Sequence, residues 1–129
     1  MLFRSDIQDN RQQSAQSLAY QFQAICVLKG AGSICADSDG TWFINTTGNT
    51  GLASGGTGDV LSGIIGSLIA QGLSTLEAAK LGVYVHGAAA DKLVADGIGP
   101  VGLTASEVAQ EARNQINQLN KARDRKTHV

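Results

Sequence analysis

The chain has 129 residues, of which 43% are hydrophobic and 16% charged, and these proportions exclude an intrinsically disordered chain. Ten basic and eleven acidic residues give a net charge of -1, so bulk charge favours neither nucleic acid nor an anionic membrane as a partner. The most apolar helix-like stretch, 60–73, has 14 residues and is too short for a membrane span, which needs about 20.

The first predicted element is an amphipathic helix over residues 9–23. Its apolar residues recur at helical spacing and therefore fall on one face. They are Ala15, Leu18, Ala19 and Phe22.

Three short strands are predicted next. Residues 25–28 form an apolar run that ends at the sequence Lys-Gly-Ala-Gly, which indicates a buried strand leading into a tight glycine turn. Residues 33–36 and 41–45 flank the sequence Asp-Ser-Asp-Gly at 37–40, whose turn-forming residues predict a β-hairpin.

The two cysteines, Cys26 and Cys35, lie in these apolar runs. They lack the CxxC spacing of a metal or redox site, and no other metal-ligand cluster is predicted. We therefore expect buried, reduced thiols, as in a cytoplasmic protein.

A glycine-rich segment separates the strands from three further helices. The segment 48–58 holds five glycines in eleven residues, too many for a regular element. The helix after it has one broad apolar face and ends near Gly72, and we expect its internal glycines, Gly63 and Gly66, to permit close approach of a neighbouring element.

The last two helices have capping signals at their N-termini. Ser74 or Thr75 caps the first of them, and Thr104 with Glu107 forms a capping box for the second. The final helix is predicted to fade over 114–120, so residues 1–120 form the domain and 121–129 a polar, basic tail.

The glycine-rich segment is the most informative part of the sequence. Backbone N–H groups that run into a helix without side chains in the way form an anion site at the positive end of the helix dipole. Neither GxxxxGK(S/T) nor GxGxxG is present, because Asp59 stands where a P-loop has lysine. Asp59 is the only charged residue in the 37 residues from Gly40 to Leu76, and it serves either as a dipole-stabilising residue or as a base in phosphoryl transfer.

Three segments in order resemble one known family. The run GNTGLASGGTGDVLSG closely resembles the signature of the NAD(P)H-hydrate dehydratases of the ribokinase-like superfamily, as do VLKGAGS before it and LGVYVHGAAAD after it. The resemblance extends from about residue 6 to about residue 108. It implies an α/β fold, the C-terminal portion of a ribokinase-like three-layer sandwich, with short strands, a glycine turn and then three helices.

The family's reaction uses ADP or ATP to dehydrate NADHX or NADPHX, the hydrated nicotinamide cofactors, back to NADH or NADPH. The hydroxyl is phosphorylated and phosphate is then eliminated. Bacterial members typically use ADP and eukaryotic ones ATP, and Mg²⁺ is expected with the nucleotide phosphates.

The resemblance also implies roles for individual residues. Asp59 is the catalytic residue and faces the hydrated substrate, which Asn45 and Asn49 also contact. The nucleotide-binding residues are Lys29, Gly30, Ala31, Gly32 and Ser33 in the first segment and Gly55, Gly56, Thr57 and Gly58 in the second. Position 33 departs from the family, in which threonine is common, but the hydroxyl is kept.

Family domains are roughly twice as long as this chain, and their N-terminal half supplies the first strands and much of the NADHX pocket. We therefore expect that half on a longer parent chain, in some members behind a fused epimerase domain. The apolar helix faces, like the family, suggest a homo-oligomer. Two alternatives stay open: a small-molecule kinase of the same superfamily, and a non-catalytic half-domain that binds nucleotide.

Overall fold

A computed structural model of the chain describes residues 4–127. Within this range the backbone forms four α-helices, three strands and one short 3-10 helix. In chain order they are α1 (Arg4–Phe22), β1 (Cys26–Leu28), β2 (Ile34–Ala36), β3 (Trp42–Ile44), the 3-10 helix (Thr50–Ala53), α2 (Thr57–Ala70), α3 (Thr75–Ala95) and α4 (Ala105–Thr127). The predicted order of helix, three strands, glycine turn and three helices is confirmed.

The chain divides into two compact units. Unit 1 contains the chain up to Thr46 together with residues 65–83, and unit 2 contains residues 47–64 and the chain from Tyr84 onward. Helices α2 and α3 contribute residues to both units.

Unit 1 is built on a three-stranded antiparallel sheet in the order β1-β2-β3. The central strand β2 is buried along its whole length and pairs Ile34 with Ile44 and Ala36 with Cys26. Two small residues of α1, Ala15 and Ala19, pack against this strand and form the core of the unit. The hairpin predicted at 37–40 is confirmed, since the Asp37 amide donates to the Thr41 carbonyl at 2.8 Å.

Helix α1 buries less of its apolar face than its sequence pattern predicts. Ala15 and Ala19 are fully buried, but Leu18 is 42% exposed and Phe22 is 68% exposed. Helical spacing places all four residues on one face, yet only the two small ones lie close enough to the sheet to be covered.

Both cysteines are free thiols in unit 1. Cys35 is buried, and desolvation raises the pKa of its thiol, although the positive charge of Lys80 acts in the opposite direction. Cys26 is only partly buried, and desolvation raises the pKa of this thiol too. The prediction of free thiols is confirmed for both, and that of full burial only for Cys35.

The predicted capping signals of the last two helices are confirmed. The Glu77 amide donates to the Ser74 hydroxyl at 3.1 Å, and the Glu77 carboxylate accepts from the Ser74 amide at 3.3 Å. Thr104 and Glu107 form the same reciprocal pair at the start of α4. Each box satisfies amides that the first helical turn leaves without partners.

The expected close approach at the glycines of α2 is wrong. A β-carbon built at Gly63 or at Gly66 would meet no described atom within 4 Å. Both glycines are exposed, so their lack of a side chain serves no packing contact among the described residues.

The last helix also extends further than predicted. Helix α4 does not fade over 114–120 but continues to Thr127, so most of the segment interpreted as a tail is helical. The final residues 128 and 129 lie outside the described range. The polar composition misled the prediction, because Val108 and Ala112, which precede this stretch, are buried and anchor α4, and polar residues can continue a helix that has already formed.

Candidate functional site

The glycine-rich segment of unit 2 folds into a 3-10 helix, a sharp turn and the start of α2. Asn49 caps the 3-10 helix, because its side-chain oxygen accepts a hydrogen bond from the Gly51 amide at 2.9 Å. The turn is made at Gly56, whose φ of 89° lies in the left-handed region that favours glycine. Helix α2 begins at the next residue, Thr57.

The turn leaves a cluster of backbone amides without partners. Within the described part of the chain, the N–H groups of Gly55, Gly56, Gly58 and Asp59 donate no hydrogen bond to any other protein group. Gly55 and Gly56 are exposed and have no side chain to cover these amides. Consecutive free N–H groups at the positive end of a helix are a binding site for an anion such as phosphate.

Thr57 holds this turn in place from inside the protein. The residue is 2% exposed, and its hydroxyl donates to the Leu52 carbonyl at 2.6 Å, with the Ser54 carbonyl at 3.0 Å. Its own carbonyl accepts a hydrogen bond from His86 Nε2 at 2.9 Å, which requires the proton on that nitrogen. Thr57 therefore supports the predicted anion pocket rather than lining it with its side chain.

Asp59 lies in the first turn of α2 and its side chain is exposed. The free amides of Gly58 and of Asp59 itself belong to the same turn. The structure thus brings a carboxylate, which accepts protons, close in sequence and space to amides that are free to donate hydrogen bonds.

The two asparagines expected to contact substrate make hydrogen bonds within the protein. Asn49 uses its oxygen for the Gly51 amide, and its side-chain NH₂ donates to Asp91 at 2.9 Å. Asn45, in unit 1, donates to the Val83 carbonyl at 3.5 Å. Asn49 is thus a structural residue of the loop in this conformation, and sequence pattern alone gave no means of distinguishing the two roles.

The other predicted nucleotide-binding segment, residues 29–33, belongs to unit 1 and follows β1. The Ser33 hydroxyl closes this turn by donating to the Gly30 carbonyl at 3.2 Å, while Lys29 is exposed. Arg11 of α1 braces the turn by donating to the Ala31 carbonyl at 3.0 Å. Gly30 has a φ of 154°, a backbone conformation that L side chains rarely adopt, so glycine is favoured there.

Three residues with structural roles around these segments were not assigned those roles from the sequence. Arg11 carries no motif at all. His86 is 4% exposed, and its partner Thr57 lies 29 residues away. Asp91 follows His86 by five residues, and its contacts with the glycine-rich segment depend on tertiary structure alone.

The family model described as NAD(P)H-hydrate dehydratase matches residues 1–114. The chain is a member of the NAD(P)H-hydrate dehydratase family. It is 42% identical over 118 residues to the ADP-dependent (S)-NAD(P)H-hydrate dehydratase of Neisseria meningitidis, covering 92% of this chain and 40% of that protein. It is 40% identical over 113 residues to the bifunctional NAD(P)H-hydrate repair enzyme of Coxiella burnetii, covering 88% of this chain and 23% of that protein.

Solved structures of dehydratases share the fold. The crystal structure of the ADP/ATP-dependent NAD(P)H-hydrate dehydratase of Bacillus subtilis with ATP and Mg²⁺ superposes with a TM-score of 0.80 at 33% identity. The match covers 88% of this chain and 41% of that one. The expected ribokinase-like α/β fold is confirmed, and the chain spans less than half the length of the dehydratases it matches.

No group of three or more His, Cys, Asp or Glu side chains within residues 4–127 could hold a metal ion. Over the same part of the chain, no helix has both the length and the hydropathy needed to cross a membrane.

Proposed function

We propose that this dehydratase family member binds an adenine nucleotide and uses it to dehydrate NADHX or NADPHX to NADH or NADPH. One observation carries the proposal: the amides of Gly55, Gly56, Gly58 and Asp59 donate to no described protein group, and they lie at the start of α2 beside the exposed Asp59 carboxylate. The free amides suit the phosphates of ADP or ATP, since each supplies a hydrogen-bond donor and no side chain blocks the approach.

In the proposed reaction Asp59 accepts the proton of the substrate ring hydroxyl as that oxygen takes up a phosphoryl group from the nucleotide. The phosphorylated oxygen then leaves as phosphate while the neighbouring ring carbon loses a proton, so the substrate loses the elements of water. The amides of Gly55, Gly56 and Gly58 stabilise the negative charge of the phosphates during transfer. Mg²⁺ accompanying the phosphates would neutralise part of the same charge.

The turn at residues 29–33 is proposed as a second contact with the nucleotide. Lys29 is exposed at the end of β1 and can offer a positive charge to a phosphate or a hydrogen-bond donor to the nucleoside. The hydrogen bonds of Ser33 and Arg11 fix the turn that carries it.

The cellular compartment of the reaction and the source of the remaining part of the domain are inferred as well. Free cysteines fit a reducing compartment such as the cytoplasm, which fractionation of cells can test. The remaining part of the domain, which the longer relatives have, would complete the NADHX pocket from a longer parent chain.

The experiment incubates the chain, joined to the remaining part of the domain that its longer relatives have, with NADHX, Mg²⁺ and ADP or ATP, and follows the absorbance of NADH. We expect nucleotide-dependent recovery of NADH, and a decrease of about 10²- to 10⁴-fold in kcat for Asp59→Asn, the usual contribution of a general base. Thermal unfolding with and without nucleotide is measured in parallel, because ligand at 100 times its Kd stabilises a protein by about 2.7 kcal/mol.

Asp96→Asn is the matched control, since Asp96 is an exposed carboxylate on unit 2 that pairs with Lys92 and lies outside the site. Recovery of NADH by Asp59→Asn at the parent rate contradicts the proposed role of Asp59. A stable phosphorylated product detected by mass spectrometry indicates a small-molecule kinase instead. A thermal shift without NADH recovery indicates a nucleotide-binding half-domain, and the chain's partial coverage of its relatives is the observation that keeps this second candidate open.

A further inference from the structure

Asp91 on helix α3 is hydrogen-bonded to the start of the glycine-rich segment. One carboxylate oxygen accepts a hydrogen bond from the Gly48 amide at 2.9 Å, and the other accepts one from the Asn49 side chain, also at 2.9 Å. Asn49 in turn accepts from the Gly51 amide, so the contact continues into the 3-10 helix. Both oxygens of Asp91 are therefore engaged by the segment that precedes the anion site.

Helix α3 approaches the same segment very closely one turn earlier. A β-carbon at Gly87 would overlap the Thr47 side chain and lie 2.6 Å from the Thr47 carbonyl carbon. The Thr47 hydroxyl donates to the Tyr84 carbonyl at 3.0 Å. Only glycine at position 87 permits this approach, which brings Asp91 within reach of the Gly48 amide.

The other end of the segment is fixed to the same helix. His86 Nε2 donates to the carbonyl of Thr57, the first residue of α2. The segment 47–57 is thus attached to α3 at both ends, by Asp91 at its start and by His86 at its end. The free amides of Gly55 and Gly56 lie between these two attachments.

We propose that Asp91 is a positioning residue for the nucleotide site, which acts by holding the segment 48–51 so that the amides of 55–58 stay arranged for a phosphate. This inference rests on the proposed function, since it assigns a device for organising the same anion site. The carboxylate suits the role because both of its partners are donors and an ionised carboxylate accepts without donating. Each oxygen accepts one hydrogen bond from the segment, so the contacts of Asp91 join two parts of the protein.

The proposed pairing can be reversed by exchanging the two side chains. In Asp91→Asn, the new NH₂ group faces a donor, either the Gly48 amide or the Asn49 side chain. In Asn49→Asp, two carboxylates face each other. In the double variant Asn49→Asp with Asp91→Asn, every donor again faces an acceptor. Residue 91 accepts from the Gly48 amide and donates to residue 49. Residue 49 still accepts from the Gly51 amide.

The experiment measures hydrogen exchange at the hydrogen-bonded amides of this segment, those of Gly48, Gly51, Leu52 and Ser54, and the Kd for ADP and ATP in these three variants. We expect each single variant to exchange about tenfold faster over this segment and to bind nucleotide about tenfold more weakly, as loss of a charge-assisted hydrogen bond implies. The double variant should return both quantities to within about threefold of the parent. If Asp91→Asn does not fold, Asn49→Asp and the double variant give the same comparison.

Asp96→Asn is again the control, because it removes a carboxylate charge from the residue that follows α3 without touching the segment, and neither quantity should change. Unchanged exchange in both single variants, or a double variant no better than either, overturns the proposed role of Asp91. Exchange is measured without ligand, so it decides this inference even if the parent chain binds no nucleotide, a result that would instead contradict the proposed function.

Discussion

At the scale of single residues, the anion site depends on groups that are hidden from solvent. Thr57 is buried, and its one hydroxyl serves two carbonyls of the preceding segment, Leu52 and Ser54. A buried carbonyl that loses its donor retains the full desolvation penalty. The stability of the turn therefore depends on a side chain that cannot reach the nucleotide.

Thr57→Val tests this dependence, because valine keeps the shape of threonine and removes only the hydroxyl. We expect the free energy of unfolding to fall by about 1–3 kcal/mol and nucleotide binding to weaken, since the turn at Gly56 loses its support. Urea unfolding followed by circular dichroism measures the first quantity, and titration with ADP the second.

The exposed Thr50, at the start of the 3-10 helix, provides the matched control. Thr50→Val should change the free energy of unfolding by less than about 0.5 kcal/mol, as is usual for surface substitutions. Equal stability of Thr57→Val and Thr50→Val would show that the buried hydroxyl contributes nothing.

At the scale of the elements, glycines in two successive helices have opposite effects on stability. Gly66 in α2 is exposed with open space beside it, whereas Gly87 in α3 lies against the backbone of Thr47. Both look alike in the sequence, where each interrupts an apolar helix. Only the path of the segment 47–49 distinguishes them.

We predict that Gly66→Ala stabilises the chain by about 0.5–1 kcal/mol, because alanine lowers the conformational entropy of the unfolded chain without meeting a neighbour. Gly87→Ala should destabilise it and weaken nucleotide binding, because the added β-carbon displaces Thr47. Denaturant unfolding of both variants checks the prediction, and a stabilising Gly87→Ala would contradict the close approach.

At the scale of the whole molecule, large apolar side chains remain on the surface of each unit. Tyr20 and Phe22 of unit 1 are 70% and 68% exposed, and Val101 of unit 2 is 93% exposed. The chain spans 40% of the Neisseria meningitidis relative, so such surfaces can be covered by the rest of the domain or by another copy. The homo-oligomer predicted from the sequence stays a proposal.

Sedimentation equilibrium of the purified chain tests that proposal. We expect masses that are a multiple of 13.3 kDa and rise with concentration, and a shift toward the monomer in Phe22→Ser, which removes apolar surface. Tyr20→Phe keeps the apolar area and should associate as the parent does. A monomer at every concentration would contradict self-association.

The sequence by itself determined the order of the elements, the hairpin, the cap of α3, the capping box of α4 and the family. These features depend on neighbouring residues, on helical spacing or on a long motif around Asp59, so local physics and pattern are sufficient. The free amides from Gly55 to Asp59 follow from the same pattern, since so many glycines before a helix leave its first N–H groups without partners.

The tertiary structure alone decided which hydrogen bonds these side chains make within the protein. Asn49 caps the 3-10 helix and donates a hydrogen bond to Asp91, which is 42 residues away along the chain, and its contact with substrate stays a proposal. Gly66 and Gly87 likewise differ only through tertiary structure, since the first has open space beside it and the second lies against Thr47. The packing of the helices sets which residues meet across such separations, and the periodicity of one segment carries no information about that packing.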